Sequence, residues 1–244
     1  MLESYFVITY FCIIIALQSI IGVGVLVLGT PFLLILNFNI IEILFILLPI
    51  SIITSLTNLI IINLSNKVMN KSTYKEFKKF FIICIPSVFL GLLILRFFEG
   101  FINFKLLVSL VIFFSIIFVI LKDRILYRIN FFRISILSFV GIVHGFTNSG
   151  GTLMSLALSA NNKKDYARLN TTFFYLILAI FQYFLTALVF FDKFIYPSDL
   201  RLIGALTIGV FLGNLVNYFL KSTMLYRMIV YLLAMLSAII LLIP

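Results

Sequence analysis

The chain has 244 residues, 64% of them hydrophobic and 11% charged. A soluble domain is about half apolar and about a quarter charged, so this is an integral membrane protein with several spans. At this length 1–244 reads as a single membrane domain with no room for a soluble module. The net charge of +10 would suit a nucleic acid, but the Lys and Arg residues lie in short loops between apolar runs, where the positive-inside rule puts them. Nucleic acid is therefore excluded as a partner, and the lipid bilayer is the environment.

Met1-Leu2-Glu3-Ser4 lacks the basic start of a signal peptide, so the first apolar segment is expected to stay in the mature chain. Tyr5 to Ile21 is apolar apart from Thr9, Gln18 and Ser19, and is followed by Gly22-Val23-Gly24 and then Gly29-Thr30-Pro31. Pro31 suits the first turn of a new helix, with Thr30 as its N-cap. Ile40 to Leu64 carries Pro49, Ser51, Thr54, Ser55, Thr57 and Asn58, polar groups suited to bonding between helices. Asn66 to Lys79 is a strongly basic loop. Phe80 to Phe98 and Phe104 to Leu121 are the next apolar runs, and Lys122 to Arg133 is basic again. Ile134 to Ala160 holds the one polar and small stretch inside an apolar segment, His144 to Thr152. Asn148-Ser149-Gly150-Gly151-Thr152 breaks a helix there, and irregular backbone at membrane depth is tolerated only where protein buries it or it lines a cavity. After a loop over Asn161 to Arg168 come Leu169 to Phe191, the neutral loop Asp192 to Arg201, Leu202 to Leu220, and Met224 to Ile243. Cys12 and Cys84 lie within apolar runs, and no Cys/His spacing resembles a disulfide or metal pair. No metal or other cofactor is expected.

The chain repeats itself. Shifted by 122 residues, Val88-Phe89-Leu90-Gly91 falls on Val210-Phe211-Leu212-Gly213, and Gly29-Thr30 falls on Gly151-Thr152. This implies two homologous halves, 1–122 and 123–244. Loop charge then sets their orientation. If Ile134 to Ala160 crossed the membrane once, the basic loop after it would lie outside and the neutral 192–201 loop inside, against the rule. If it enters and returns on one side, every loop agrees. Twenty-seven residues are generous for one crossing of about 20 residues and too few for two. Each half is then a broken, re-entrant helical hairpin plus three transmembrane helices, and the odd number of crossings inverts the second half. Inverted repeats with broken helices are the architecture of many secondary transporters. The fold expected is an all-α membrane protein of two inverted repeats, with both termini non-cytoplasmic and the 67–79, 122–133, 161–168 and 221–227 loops cytoplasmic. Eight full spans with parallel repeats are the alternative.

The glycine-broken first segment ending in Thr30-Pro31, its echo at Asn148 to Thr152, and the glycine-spaced third helix of each half around Gly91 and Gly213 resemble the TauE/SafE family of sulfite and sulfonate exporter-like permeases. The resemblance implies a multi-pass transporter of the bacterial cytoplasmic membrane, moving a small sulfur-containing or organic anion. It leaves the anion and the direction open.

Half-helices starting near Thr30 and Thr152 would present partial positive charge and free N–H groups to an anion, with Asn148, Ser149 and Thr152 adding neutral donors. No Lys or Arg lies in the middle of an apolar run, so neutral dipoles are expected to hold the anion weakly enough to release it. The candidate substrate-binding residues are Gly22, Gly24, Gly29, Thr30, His144, Asn148, Ser149, Gly150, Gly151 and Thr152. The glycines are structural first, permitting close backbone approach. His144, the only histidine, is either a proton site or substrate donor, with a proton as the coupling ion, or a neutral group bonded within the bundle. Gln18, Asn58, Tyr175 and Gln182 are candidate path-lining residues, with helix packing as the competing role. One histidine and no clustered carboxylates offer nothing to a membrane-embedded enzyme, and a scaffold subunit needs neither a repeat nor polar breaks. An anion channel remains the alternative to a transporter. Oligomeric state is open.

Overall fold

A computed structural model describes residues 5–64, 71–125, 134–193 and 201–242. Met1–Ser4 and parts of three of the charged stretches used above for orientation (65–70, 126–133 and 194–200) lie outside the described residues. The described chain is all helical: α1 (Tyr5–Ile21), α2 (Val25–Ile35), α3 (Ile40–Leu64), α4 (Lys71–Phe98), α5 (Phe104–Ile125), α6 (Ile134–Thr147), α7 (Gly150–Asn161), α8 (Lys164–Val189), α9 (Arg201–Phe219) and α10 (Thr223–Leu242), with a single 3-10 turn at Phe191–Lys193. Among the described residues, six helices are long and apolar enough to cross a membrane: α3, α4, α5, α8, α9 and α10. The other four, α1, α2, α6 and α7, are 17, 11, 14 and 12 residues long.

Those four form two hairpins. Val25 lies against Gln18, the Tyr10 hydroxyl donates to the Leu28 carbonyl at 3.1 Å, and the Tyr10 and Phe32 rings stack at 3.6 Å, so α2 runs back along α1. In the second hairpin Gly150 packs against the backbone of Val140 and His144, which folds α7 back beside α6. The turn after α2 is local chemistry. Asn37 takes the left-handed conformation at φ 62°, and the Phe38 N–H reaches back to the Leu33 carbonyl at 3.0 Å. Asn39 and Glu42 then exchange side chain-to-backbone bonds at 2.9 Å, a capping box that starts α3.

Helix packing follows a paired pattern: α1 lies on α9 and α6 on α4, α2 on α10 and α7 on α5, and α3 on α8. The close pairs are made by glycine. A Cβ on Gly145 would collide with the Val88 carbonyl, and one on Gly213 with the Ala16 carbonyl. Small residues are what lets two backbones approach this closely. The core lies inside this arrangement. In the most apolar window of α3, 67% of residues are buried and in that of α8 50%, against 33–39% in α4, α5, α9 and α10. These four outer helices carry exposed side chains such as Phe97, Phe114, Phe211 and Leu232, as a lipid-facing surface requires.

Two ends of the bundle can be told apart by what meets there. At one, Lys193 pairs with Glu99 at 2.7 Å, Lys105 donates to Asn37, and Arg96 donates to the Val189 carbonyl at the end of α8. At the other, Ile61 and Ile62 share a cavity with Lys163, Lys164, Asn217, Lys221 and Thr223. The start of α8 therefore sits beside the end of α3 and the α9–α10 turn, with the end of α8 beside the α4–α5 turn.

Three sequence-based boundaries need correction. The first break is 22–24 alone, and Gly29, Thr30 and Pro31 lie inside α2. The expectation of a local Thr30 cap failed because α2 is capped from a distance, by Gln18. The match of Gly29-Thr30 with Gly151-Thr152 is therefore not structural: Gly22 corresponds to Asn148, the two left-handed residues that end α1 and α6. Finally, α4 starts at Lys71 and α8 at Lys164, so much of what was read as basic loop is helix.

Candidate functional site

The first break is built from a left-handed glycine. Gly22 has φ 86°, and its N–H closes α1 on the Gln18 carbonyl at 2.7 Å. The last carbonyls of α1 would be orphans inside the bundle. The Arg168 Nη2 donates to the Ser19 carbonyl at 2.6 Å, Asn217 Nδ2 to that of Ile20 at 2.6 Å, and the Tyr226 hydroxyl to that of Ile21 at 2.8 Å. Across the gap, Gln18 Oε1 accepts the Val25 N–H at 3.0 Å, supplying the N-terminus of α2. Its Nε2 donates to Ser55 Oγ at 3.0 Å. Asn58 Nδ2 donates to Ser19 Oγ at 3.1 Å, Asn214 Nδ2 to Asn58 Oδ1 at 2.8 Å, and Arg168 Nη2 to Asn214 Oδ1 at 2.6 Å. Gln18 and Asn58 thus belong to one network that locks the first hairpin to α3, α8 and α9.

The second break uses the same plan with other residues. Asn148 takes φ 59°, and its N–H closes α6 on the His144 carbonyl at 2.8 Å. His144 Nδ1 accepts the Gly151 N–H at 3.3 Å, seven residues on, the separation at which Gln18 serves Val25. Because Nδ1 accepts, a neutral His144 carries its proton on Nε2 and presents a donor there. Gln182 Nε2 donates to the His144 carbonyl at 3.1 Å, and Asn148 Nδ2 donates to Thr30 Oγ1 at 2.9 Å. Thr30 is therefore brought to the second break from inside α2. Ser149 bonds only locally, to Thr147.

Satisfaction separates the two breaks. His144 Nε2, Asn148 Oδ1, Thr152 Oγ1, Tyr175 Oη, Gln182 Oε1 and Thr186 Oγ1 are all buried without a hydrogen-bond partner. Buried polar groups are rarely left unmet, and each unmet one costs about 1–3 kcal/mol. Tyr175 is held against the backbone at Gly151, where any Cβ would collide with its phenol, and its ring lies 6.4 Å from that of His144. Thr171, Tyr175, Gln182 and Thr186 project from one side of α8, at the spacing of a helix face.

The expected site residues therefore fall into two groups. Thr30, His144, Asn148, Ser149, Gly150, Gly151, Thr152, Tyr175 and Gln182 gather at the second break; Gly22, Gly24, Gln18 and Asn58 gather at the first, and Gly29 packs on Leu47. The two breaks meet different parts of α8, Gly22 against Arg168 and Thr172 and Gly151 against Tyr175. Neutral dipoles alone do not describe the first break, because Arg168 is buried beside it. The sequence reading missed Arg168, Asn214, Asn217, Tyr226, Thr171 and Thr186. Starting α8 at Lys164 would have placed Arg168 on the face continued by Tyr175 and Gln182.

The family model for the sulfite exporter TauE/SafE matches residues 6–241, nearly the whole chain. The chain belongs to the TauE/SafE family. It is accordingly a multi-pass membrane protein of a transporter family, as the first and second breaks and the six long apolar helices had implied. No curated protein and no solved structure matches it.

Proposed function

We propose that this TauE/SafE protein is a secondary transporter that carries a small oxyanion of sulfur, sulfite or a sulfonate, across the cytoplasmic membrane by alternating access, and that the anion is held at the second break. The observation that carries this reading is the set of unmet buried groups around His144, Thr152 and Tyr175. His144 Nε2–H and the Thr152 and Tyr175 hydroxyls are donors in search of an acceptor, set beside the positive N-terminal end of α7. Asn148 Oδ1 and Gln182 Oε1 are acceptors. A set made mostly of neutral donors suits a monoanion, hydrogensulfite or a sulfonate, better than a dianion. Neutral donors also release what they bind, which transport requires.

The architecture in this reading is a pair of inverted repeats, each a re-entrant hairpin followed by three crossings. Several observations support it. The packing partners exchange between halves, α1 on α9 against α6 on α4, and α2 on α10 against α7 on α5. The Lys193–Glu99 pair joins the far ends of α4 and α8, and Ile62 at the end of α3 shares a cavity with Lys163 before α8, pairings that favour re-entrant hairpins over eight full crossings. Rocking of the halves around α3 and α8 would then expose the site to each side in turn.

The test is counterflow in proteoliposomes with sulfite, thiosulfate, sulfonates and small carboxylates, in wild type and Thr152→Asp. A carboxylate in the first turn of α7 opposes an anion where it must bind, so Thr152→Asp abolishes uptake while the protein remains folded and inserted. Wild-type uptake kinetics in that variant would sink the proposal.

A further inference from the structure

A polar cavity lies at the start of α8, well away from His144. It encloses about 560 Å³ and opens to solvent between α3, α8, α9 and the α9–α10 turn. Lys163, Lys164, Arg168 and Lys221 line it against a single carboxylate, Asp165. Lys163 and Lys221 are exposed at the rim, whereas Arg168 is only 7% exposed and forms the inner wall. The guanidinium donates to the Ser19 carbonyl, Asn214 Oδ1 and Asn217 Oδ1, all neutral oxygens. Its Nε–H is buried without a partner. A buried guanidinium whose hydrogen-bond acceptors carry no charge, with its Nε–H unmet and two more cations at the mouth of a pocket open to solvent, is chemistry for an oxyanion.

We propose that this cavity is an outer binding site for a divalent oxyanion of the sulfate class, separate from the second break. Lys163 and Lys221 attract the anion over the reach of a screened charge, and Arg168 receives it. Arg168 also ties down the last turn of α1 through Ser19, so an anion seated there sits directly behind the first break. On the orientation proposed above this is the cytoplasmic face, where the site concentrates anions at the mouth of the pathway. That role rests on the transport reading; binding itself does not.

The experiment uses the purified full chain in nanodiscs, titrated calorimetrically with sodium sulfate and, at matched ionic strength, sodium chloride. It is run in the Thr152→Asp background, so that the inner site contributes nothing. Sulfate binds there and chloride does not compete at equal ionic strength. Lys163→Gln with Lys221→Gln weakens sulfate binding roughly tenfold, as loss of two nearby attractions in a partly solvated site should. Arg168→Gln removes binding, but because Arg168 also holds α1, the exposed lysine pair carries the test. The proposal is overturned if the lysine pair leaves sulfate affinity unchanged, if chloride gives the same heat as sulfate, or if Thr152→Asp alone eliminates binding. Lysine-sensitive sulfate binding in a protein that shows no counterflow would instead leave this site standing and remove the transport reading.

Discussion

His144 and Gln18 stand at corresponding places in the two hairpins, and the correspondence can be tested by exchange. Each accepts the backbone N–H seven residues ahead, Gly151 for His144 and Val25 for Gln18. His144→Gln therefore puts into the second hairpin the residue that does the same work in the first. His144→Leu keeps the bulk and removes the acceptor, which leaves the Gly151 N–H buried and unmet. That costs about 1–3 kcal/mol, within the range of lost helix caps. For a chain of this size each kcal/mol shifts the melting midpoint by about 2–4 °C, so His144→Leu should melt roughly 2–12 °C lower and His144→Gln within about 2 °C of wild type. The Gln182 bond to the His144 carbonyl is unaffected in both, since it uses backbone. Thermal unfolding in detergent, read by intrinsic tyrosine fluorescence, measures the difference. Uptake in liposomes between about pH 5 and 8 reports the second question. If His144 only caps α7, His144→Gln transports with the wild-type pH profile; if it exchanges the coupling proton, that variant loses the profile at unchanged stability. Equal destabilisation by Gln and Leu would refute the capping argument itself.

Two further predictions concern packing and orientation. Gly213 and Gly204 lie on the same helix, but a Cβ at Gly213 meets the Ala16 carbonyl whereas one at Gly204 meets nothing; Gly213→Ala should cost about 1–3 kcal/mol and Gly204→Ala should be neutral or stabilising by up to about 1 kcal/mol, and a reversed order in thermal melts would contradict the close α1–α9 contact. In a background free of Cys12 and Cys84, a cysteine at Asn162 should resist a membrane-impermeant thiol reagent on intact cells while one at Glu99 reacts, and labelling of position 162 from outside would mean that the second hairpin crosses completely.

Much of this was legible in the chain because it is written in composition and periodicity. The six long spans and the two short broken segments follow from apolar run length. Glycine spacing around Gly91 and Gly213 foretold where helices touch. What could not be read was who satisfies whom. Thr30 looked like a local cap and is instead the acceptor for Asn148, 118 residues away in sequence. Gln18 caps α2 from the preceding helix, and a cap supplied by a side chain outside the usual N-cap position leaves no Ser, Thr, Asp or Asn signal where one is sought. The basic residues were assigned to loops by the positive-inside rule, yet several end helices. Lys164 donates to the carbonyls of Asn217 and Leu220, Arg227 to those of Ser159 and Asn162, and Arg168 to that of Ser19. Cations favour helix C-termini for electrostatic reasons, so a residue expected to set orientation in the membrane also closes a helix end. Sequence shows only the first of these roles.

The difference between the breaks bears on mechanism. Both hairpins end their first helix with a left-handed residue, supply the next helix from the side chain seven residues earlier, and receive an amide from a long helix, Asn58 on Ser19 and Gln182 on His144. Equal geometry would lead one to expect equal satisfaction. Instead the first break closes into a network in which Gln18, Asn58, Asn214 and Asn217 are all partnered and the Arg168 Nε–H is left over, while the second leaves His144, Asn148, Thr152, Tyr175 and Gln182 each with an idle atom. At about 1–3 kcal/mol per unmet group, so many idle atoms together would cost as much as a domain's whole stability of about 5–15 kcal/mol. On the proposed transport reading, the anion is what meets those groups. The more fully bonded break then holds its hairpin to α3, α8 and α9, and on the proposed reading the other is where the anion gains binding energy. Replacing Tyr175 by Phe separates these alternatives: loss of a hydroxyl that only ever met water leaves uptake affinity near wild type, whereas loss of a donor to the anion weakens it by the roughly tenfold that one hydrogen bond of about 1.4 kcal/mol represents.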